Sequence, residues 1–316
     1  MIKLKKLLSI TTAAALTLSL TACSASKETV SSSNQTLNFG AMASVDTIPM
    51  VIAKEKGFFE KAGVVVNYQS FKNAKERDAA FQSGNLDGII GDELAISLYQ
   101  NADFNVKITG ETDGDFMLIA GVNSGIKTLA DLQGKSVAIS EKTAIEYTLD
   151  TILEKSCIDP KAVKKAIVPA IPTRLEMLKN NKVDAALLPE PFSSLAIKDG
   201  GLLLESAAGL NAFSSVTAFS QKAIDSKSKE IKAFYKAYNE AVDYINSTPF
   251  SEYEDIIIKA VGYPENMKGS IKLPKFNKNK LPSEADVRSA IDWAVKNGLV
   301  TKKLEAKDLM SDIASK

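Results

Sequence analysis

Residues 183–192 read VDAALLPEPF. An Asp leads into an apolar run, and Glu190 then sits between two prolines. A short apolar run bounded by turn residues predicts a buried strand that ends on a stiff corner. The same layout occurs earlier in the chain. RDAAFQSGNLDGIIGDEL (77–94) matches RLEMLKNNKVDAALLPEP (174–191), pairing Arg77 with Arg174, Asp87 with Asp184 and Glu93 with Glu190, each pair 97 positions apart. A helix–strand–corner unit built twice explains the echo; chance similarity of short helix–strand units is the alternative.

Working outward from this pair, strand-like and helix-like runs alternate. TLNFGAM, VVVNYQSF and LDGIIG predict strands. TIPMVIAKEKGFFEKAG, NAKERDAAFQSG and DELAISLYQNA predict helices, the first with Pro49 near its start and Gly57 near its end. VKITGE and FMLIAGV are further strands. The pattern restarts in SGIKTLADLQGKSVAIS, followed by the helix TAIEYTLDTILEKS, whose Thr143 and Glu146 form a capping box. KKAIVPA, VDAALL and GLLLES predict strands, and IPTRLEMLKNNK and PFSSLAIKDGG helices. SSVTAFS is a strand leading back out, and most of the remainder is helical. Repeated βα units with short apolar strands predict α/β sheets, parallel-dominated and covered on both faces. The second unit is inserted in the chain of the first. Strands near 116–122 and 214–219 then link two lobes as a two-strand hinge.

The N-terminus lies outside this pattern. MIKLKKLLSITTAAALTLSLTAC has a basic start, an apolar stretch and small residues before Cys23, which marks an export signal over 1–23. Its end, Leu20-Thr21-Ala22-Cys23, resembles a bacterial lipobox, so Cys23 is expected to carry lipid; an ordinary secretory signal is the alternative. The Ser-rich stretch that follows reads as a flexible tether over 24–36. Cys157 is the other cysteine, so with Cys23 acylated no disulfide forms within the chain.

Composition excludes several functions. The chain has 39 Lys and Arg against 38 Asp and Glu and no basic block, which argues against nucleic-acid binding. It has no His. That removes the commonest metal ligand and general base, so no metal, cofactor or catalytic triad is expected.

Several stretches resemble one known family. PMVIAKEKGFFEKAGVVV (49–66) is similar to the first-helix signature of ABC-transporter solute-binding proteins in the nitrate/sulfonate/taurine and thiamine-pyrimidine-precursor group. The matching positions are Pro49, Ala53, Gly57-Phe58-Phe59, Gly63 and Val64 to Val66. SGIKTLADLQGKSVAIS (124–140), FQSGNLDGIIGD and LKNNKVDAALLPEP are similar to other parts of the family pattern. The resemblance covers 37–222. It implies the two-lobe periplasmic-binding-protein fold (type II), with lobe 1 over 37–121 and 217–316 and lobe 2 over 122–216. It also implies a monomer outside the cytoplasm that traps a small molecule by hinge closure and hands it to an ABC permease and its ATPase.

Ligands in open α/β sheets bind beyond the carboxyl ends of the strands, where helix N-termini offer free N–H groups. Four corners therefore supply the candidate site: Ser44, Asp46 and Thr47; Gly91, Asp92 and Glu93; Ser140, Lys142 and Thr143; and Glu190 with Phe192. Helix capping and ligand contact are both open at Asp46, Thr47 and Asp92, and Thr143 fits a cap better. Phe192 fits a pocket wall or a core position. Glu is a poor cap and the flanking prolines aim its side chain, so Glu190 is read as a ligand contact, with a solvated loop position as the alternative. The corners, counted with Glu141, carry five carboxylates against Lys142. The three arginines are Arg77, Arg174 and Arg288, and the first two lie in helices well before their strands, which places them at the far side of the sheet. With no Arg fork in view, the favoured ligand is an aminopyrimidine-like or cationic nitrogen heterocycle. A sulfonate, taurine or nitrate-type anion is the alternative. A sensory protein and an enzyme on the same fold are more remote ones.

Overall fold

The computed structural model describes residues 35–210 and 215–315. The export signal, Cys23 and the tether up to residue 34 lie outside the described residues. The last two residues assigned to the tether already belong to the fold. Thr36 opens the first strand, and the Gln35 N–H donates to Glu230 Oε1 at 3.3 Å.

The strands are β1 Thr36–Met42, β2 Val65–Phe71, β3 Gly88–Asp92, β4 Val106–Glu111, β5 Phe116–Ala120, β6 Ser136–Ile139, β7 Lys164–Ile167, β8 Ala185–Pro189, β9 Leu202–Ser206 and β10 Ser215–Ser220. They form two five-stranded sheets, ordered β2-β1-β3-β10-β4 and β7-β6-β8-β5-β9. The two orders are the same pattern, with β6, β7, β8, β9 and β5 standing for β1, β2, β3, β4 and β10. The central strands are buried along nearly their whole length, all of β8 and all but Asp92 of β3. That is why both read as continuous apolar runs.

In each sheet four strands run one way, and the fifth, β10 or β5, runs against its neighbours. This opposed strand is the one whose chain arrives from the other sheet. The strands expected to link the lobes are therefore interior members: β5 lies between β8 and β9, and β10 between β3 and β4. The crossings run instead through 112–115 and through the segment between Ser206 and Ser215. A linking strand would leave its N–H and C=O groups to water, whereas insertion pairs both of its edges.

The helices are α1 Ile48–Glu55, α2 Phe58–Ala62, α3 Ala74–Gln82, α4 Glu93–Asn101, α5 Ala144–Lys155, α6 Ile171–Lys179, α7 Phe192–Lys198, α8 Gln221–Ser226, α9 Ser228–Ser247, α10 Glu254–Ile257 and α11 Glu284–Lys296. The single helix expected over 47–63 is two, because Gly57 takes φ +73° between α1 and α2. Non-glycine residues adopt that left-handed conformation at a cost, so the helix breaks there. The 97-residue echo is a repeat in space. α3 and α6 start 97 positions apart, as do β3 and β8. Asp87 and Asp184 are its staples. The Asp87 N–H donates to Asn38 O at 2.7 Å while Oδ2 accepts from the Asn38 N–H at 2.8 Å. Asp184 does the same with Ser136, at 3.1 and 2.8 Å. Each fixes the start of one strand against its parallel neighbour.

Each sheet carries its own core. Phe39, Phe219 and Phe234 pack together under α1, α2 and α9 on the first sheet. Leu118, Ile139, Leu149 and Leu187 form the centre of one cluster on the second. Burying each such side chain stabilises the fold by about 1.5–3 kcal/mol, enough to make each layer a rigid support for the corners at its strand ends.

Candidate functional site

Corners from both sheets converge on one cavity of about 120 Å³. Ser44 and Asp46 follow β1, and Lys72 and Asn73 follow β2. Gly91 and Asp92 end β3. Gly114 and Asp115 come from the first crossing. Ser140 and Thr143 follow β6, Pro169 follows β7, and Pro189 and Glu190 close β8. Ser215 begins β10.

Of the residues expected here, Ser44, Asp46, Gly91, Asp92, Ser140, Thr143 and Glu190 all reach the cavity wall. Thr47, Glu93, Lys142 and Phe192 do not. Thr47 is fully buried and turns its hydroxyl back to Ser44 O at 2.7 Å. Glu93 points into the layer between helices, fully buried, with neither carboxylate oxygen hydrogen-bonded. Burial, with like charge from Asp286, Asp92 and Glu111, pushes its pKa up to about 9. Lys142 takes φ +56° and gives its N–H to Glu146 Oε2 at 2.6 Å. Glu146 thus caps the turn through Lys142 rather than Thr143. Phe192 opens α7 and packs on the second core beside Leu195. All four sit at the named corners with their side chains off the cavity wall, and for Phe192 this is the core position that its sequence also allowed.

The cavity's carboxylates are already occupied. Asp46 caps no helix; it accepts from Ser44 Oγ and from Ser215 Oγ at 2.8 Å. Asp92 caps α4 through Ala95 N–H at 2.8 Å. Asp115 accepts from Ala208 N–H at 2.9 Å. Burial raises the pKa of all three above the usual carboxylate value. Glu190 accepts from Ser194 Oγ at 2.7 Å and from Tyr263 Oη at 3.3 Å.

Both arginines placed at the far side of the sheet lie instead at this cavity. α3 and α6 pack over the sheets, and each long side chain reaches back to the middle of the next strand. Arg77 Nη1 donates to Ile90 O at 2.8 Å, and Arg174 Nη1 to Leu187 O at 2.7 Å, the same contact in the two repeats. Their charge balance differs. Arg77 pairs with Asp78, Nη2 to Oδ1 at 2.7 Å. Arg174 is 1% exposed and donates to Val168 O, Leu187 O and Ser140 Oγ. Among the described residues no carboxylate lies within 4.0 Å of it. Burial alone pulls its pKa down to about 10, so it is still charged at neutral pH. The echo had already put the two arginines in register; only the reach of the side chain was misjudged. Ser215, Asp115 and Lys72 had no comparable signal.

No group of three or more His, Cys, Asp or Glu that could hold a metal occurs among the described residues. No helix among them is long and apolar enough to cross a membrane.

The profile of the NMT1-like family matches residues 31–259 of this chain. A putative ABC transporter periplasmic binding protein of Brachyspira hyodysenteriae is 24% identical over 257 residues, covering 75% of this chain and 73% of its own. A putative aliphatic sulfonates-binding protein of Bacillus subtilis is 25% identical over 285 residues, covering 84% and 82%. The fold is shared with the periplasmic aliphatic sulphonate binding protein SsuA of Escherichia coli, at a TM-score of 0.75 and 20% identity, over 88% of this chain and 98% of that one. The desulfurization enzyme DszB shares it too, at a TM-score of 0.65 and 14% identity, over 89% and 98%. The architecture is thus the periplasmic-binding-protein fold, on which both binding proteins and an enzyme are built.

Proposed function

The chain belongs to the NMT1-like family, and from that premise we propose that it is the extracytoplasmic solute-binding component of an ABC importer. Its two sheet layers act as lobes that close over a small solute and present it to a permease and its ATPase. In this reading Cys23 carries the lipid anchor. The binding residues are Ser44, Asp46, Asp92, Ser140, Thr143 and Glu190, joined by Arg174. The names of the two sequence relatives support the transport role.

The solute favoured by this cavity carries an oxyanion, of the sulfonate class. One observation carries that choice: Arg174 is a buried cation at the wall with no carboxylate within 4.0 Å among the described residues. A buried charge without a partner is costly, and a bound anion relieves the cost. The cation-binding reading rested on counting carboxylates, but those carboxylates are already hydrogen-bonded within the protein. It stands as the second reading, carried by the four acids at the wall, Asp46, Asp92, Asp115 and Glu190. Calorimetric titration of the purified chain decides between them. Binding of taurine or ethanesulfonate, with none of an aminopyrimidine, supports the first reading; the reverse supports the second. Mass spectrometry of any copurifying solute identifies the natural ligand directly.

A further inference from the structure

The cavity is not the sole place where the two sheet layers meet. α11, from the C-terminal part of the chain, packs on α4 of the first layer, α4 also touches α5 of the second, and side chains of α5 and α11 reach each other. Three contacts cross this seam, spaced one per helical turn on each side. Tyr147 Oη donates to Ser289 Oγ at 2.9 Å. Trp293 Nε1 donates to Asp150 Oδ2 at 3.1 Å. Lys296 Nζ donates to Glu154 Oε1 at 2.8 Å. Behind them Leu94, Tyr147, Ala290, Trp293 and Ala294 form a small apolar core, with the Tyr147 and Trp293 rings edge to face at 5.8 Å. The seam therefore has both directional and apolar components.

Its position matters because two cavity-lining helix starts depend on it. Asp92 caps α4 and Thr143 caps α5, and both line the cavity from opposite layers. A helix is stiff and rises 1.5 Å per residue, so Tyr147 is about 6 Å along α5 from Thr143. Wherever the seam holds Tyr147, it also holds the Thr143 corner. We propose that α11 is a latch: its three-rung seam with α5 sets the balance between open and closed lobes, and so tunes solute affinity without touching solute. A latch of this kind acts by changing the population of the competent state, not the contacts within it. The proposal rests on reading the two layers as lobes that close on a solute.

Trp293 is the only tryptophan of the chain, so its fluorescence reports the seam. It is 7% exposed, and acrylamide should quench it poorly while the latch is shut. The test uses the full chain, stripped of bound solute by denaturation and refolding. Tyr147→Phe and Ser289→Ala each delete one hydroxyl and little volume. Each should raise the open fraction about five-fold for the hydrogen bond lost. That appears as stronger acrylamide quenching and as a larger radius of gyration by X-ray scattering, with unchanged circular dichroism. Trp293→Phe, read by scattering alone, should do the same. Quenching and radius equal to wild type in all three variants would overturn the latch. The solute-binding reading fails separately, if neither taurine, ethanesulfonate nor an aminopyrimidine binds while the variants still open.

Discussion

Arg174 donates from Nη2 to Ser140 Oγ at 3.0 Å, and this contact joins α6 to the β6 corner at the cavity wall. The repeat partner of Arg174 shows what is unusual about it. Arg77 makes the equivalent backbone contact but has Asp78 beside it; the position after Arg174 is Leu175. One repeat neutralises its arginine with an adjacent carboxylate and the other does not.

Arg174→Met should therefore abolish binding of a sulfonate-class solute, with a loss of about 2–5 kcal/mol as expected for truncating a buried charge contact. The unliganded protein should lose much less, because the variant also removes an unneutralised buried charge. Calorimetry and thermal unfolding, run on the same variant, separate the two effects. A binding loss no larger than ten-fold would sink the role assigned to Arg174.

Glu190→Gln and Tyr263→Phe test what the Glu190 carboxylate is for. If it meets solute, the Gln variant should weaken binding about ten-fold and the Phe variant, which removes one donor to it, by less than about three-fold. Equal losses from both would instead make Glu190 a clasp to Tyr263, holding the β8 corner against the C-terminal part of the chain.

Glu93 makes a pH-dependent contribution whose sign is fixed by its raised pKa. The folded chain keeps this proton up to about pH 9, while the unfolded chain releases it near the ordinary value of 4.5. The folded state thus binds more protons between those values. Its stabilising share is full at acid pH and is lost as pH rises from about 4.5 to 9, by at most about 1.4 kcal/mol per unit. Urea unfolding at pH 5, 7 and 9 should show that slope flattened in Glu93→Gln. Parallel curves for variant and wild type would falsify the assignment.

Gly114 allows a close approach at the first crossing. A Cβ there would sit 2.9 Å from Asp46 Oδ2 and 3.0 Å from the Ser215 Cβ. Gly114→Ala should displace the Asp46–Ser215 hydrogen bond and cost about 1–3 kcal/mol, seen as a lower melting temperature together with weaker solute binding. Unchanged melting and binding would mean that the crossing yields more easily than its packing suggests.

Much of this fold was legible in the chain itself. Each predicted strand starts within two residues of the observed one, because apolar runs such as that of β8 are buried on both faces and so leave no alternation to mistake. The 97-residue echo marks the repeated corner in the sequence itself. VDAALLPEPF was read as a buried strand ending on an aimed carboxylate, and the structure has β8 there with Glu190 at the cavity wall.

Local pattern determined which residues form each element and which corners lie at the strand ends, since those depend on hydrogen bonding and burial within a few residues. Tertiary structure alone decided where long side chains go. Arg174 crosses from a helix to the middle of a strand, 13 residues later at Leu187, and Glu93 lies off the cavity wall that its neighbour Asp92 lines. It also decided the sheet to which β5 and β10 belong, because a strand satisfies its backbone wherever two free edges await it. Charge followed the same division. Sequence counts the acids at the corners, but only packing shows that those acids are already hydrogen-bonded and that Arg174 has no carboxylate beside it among the described residues.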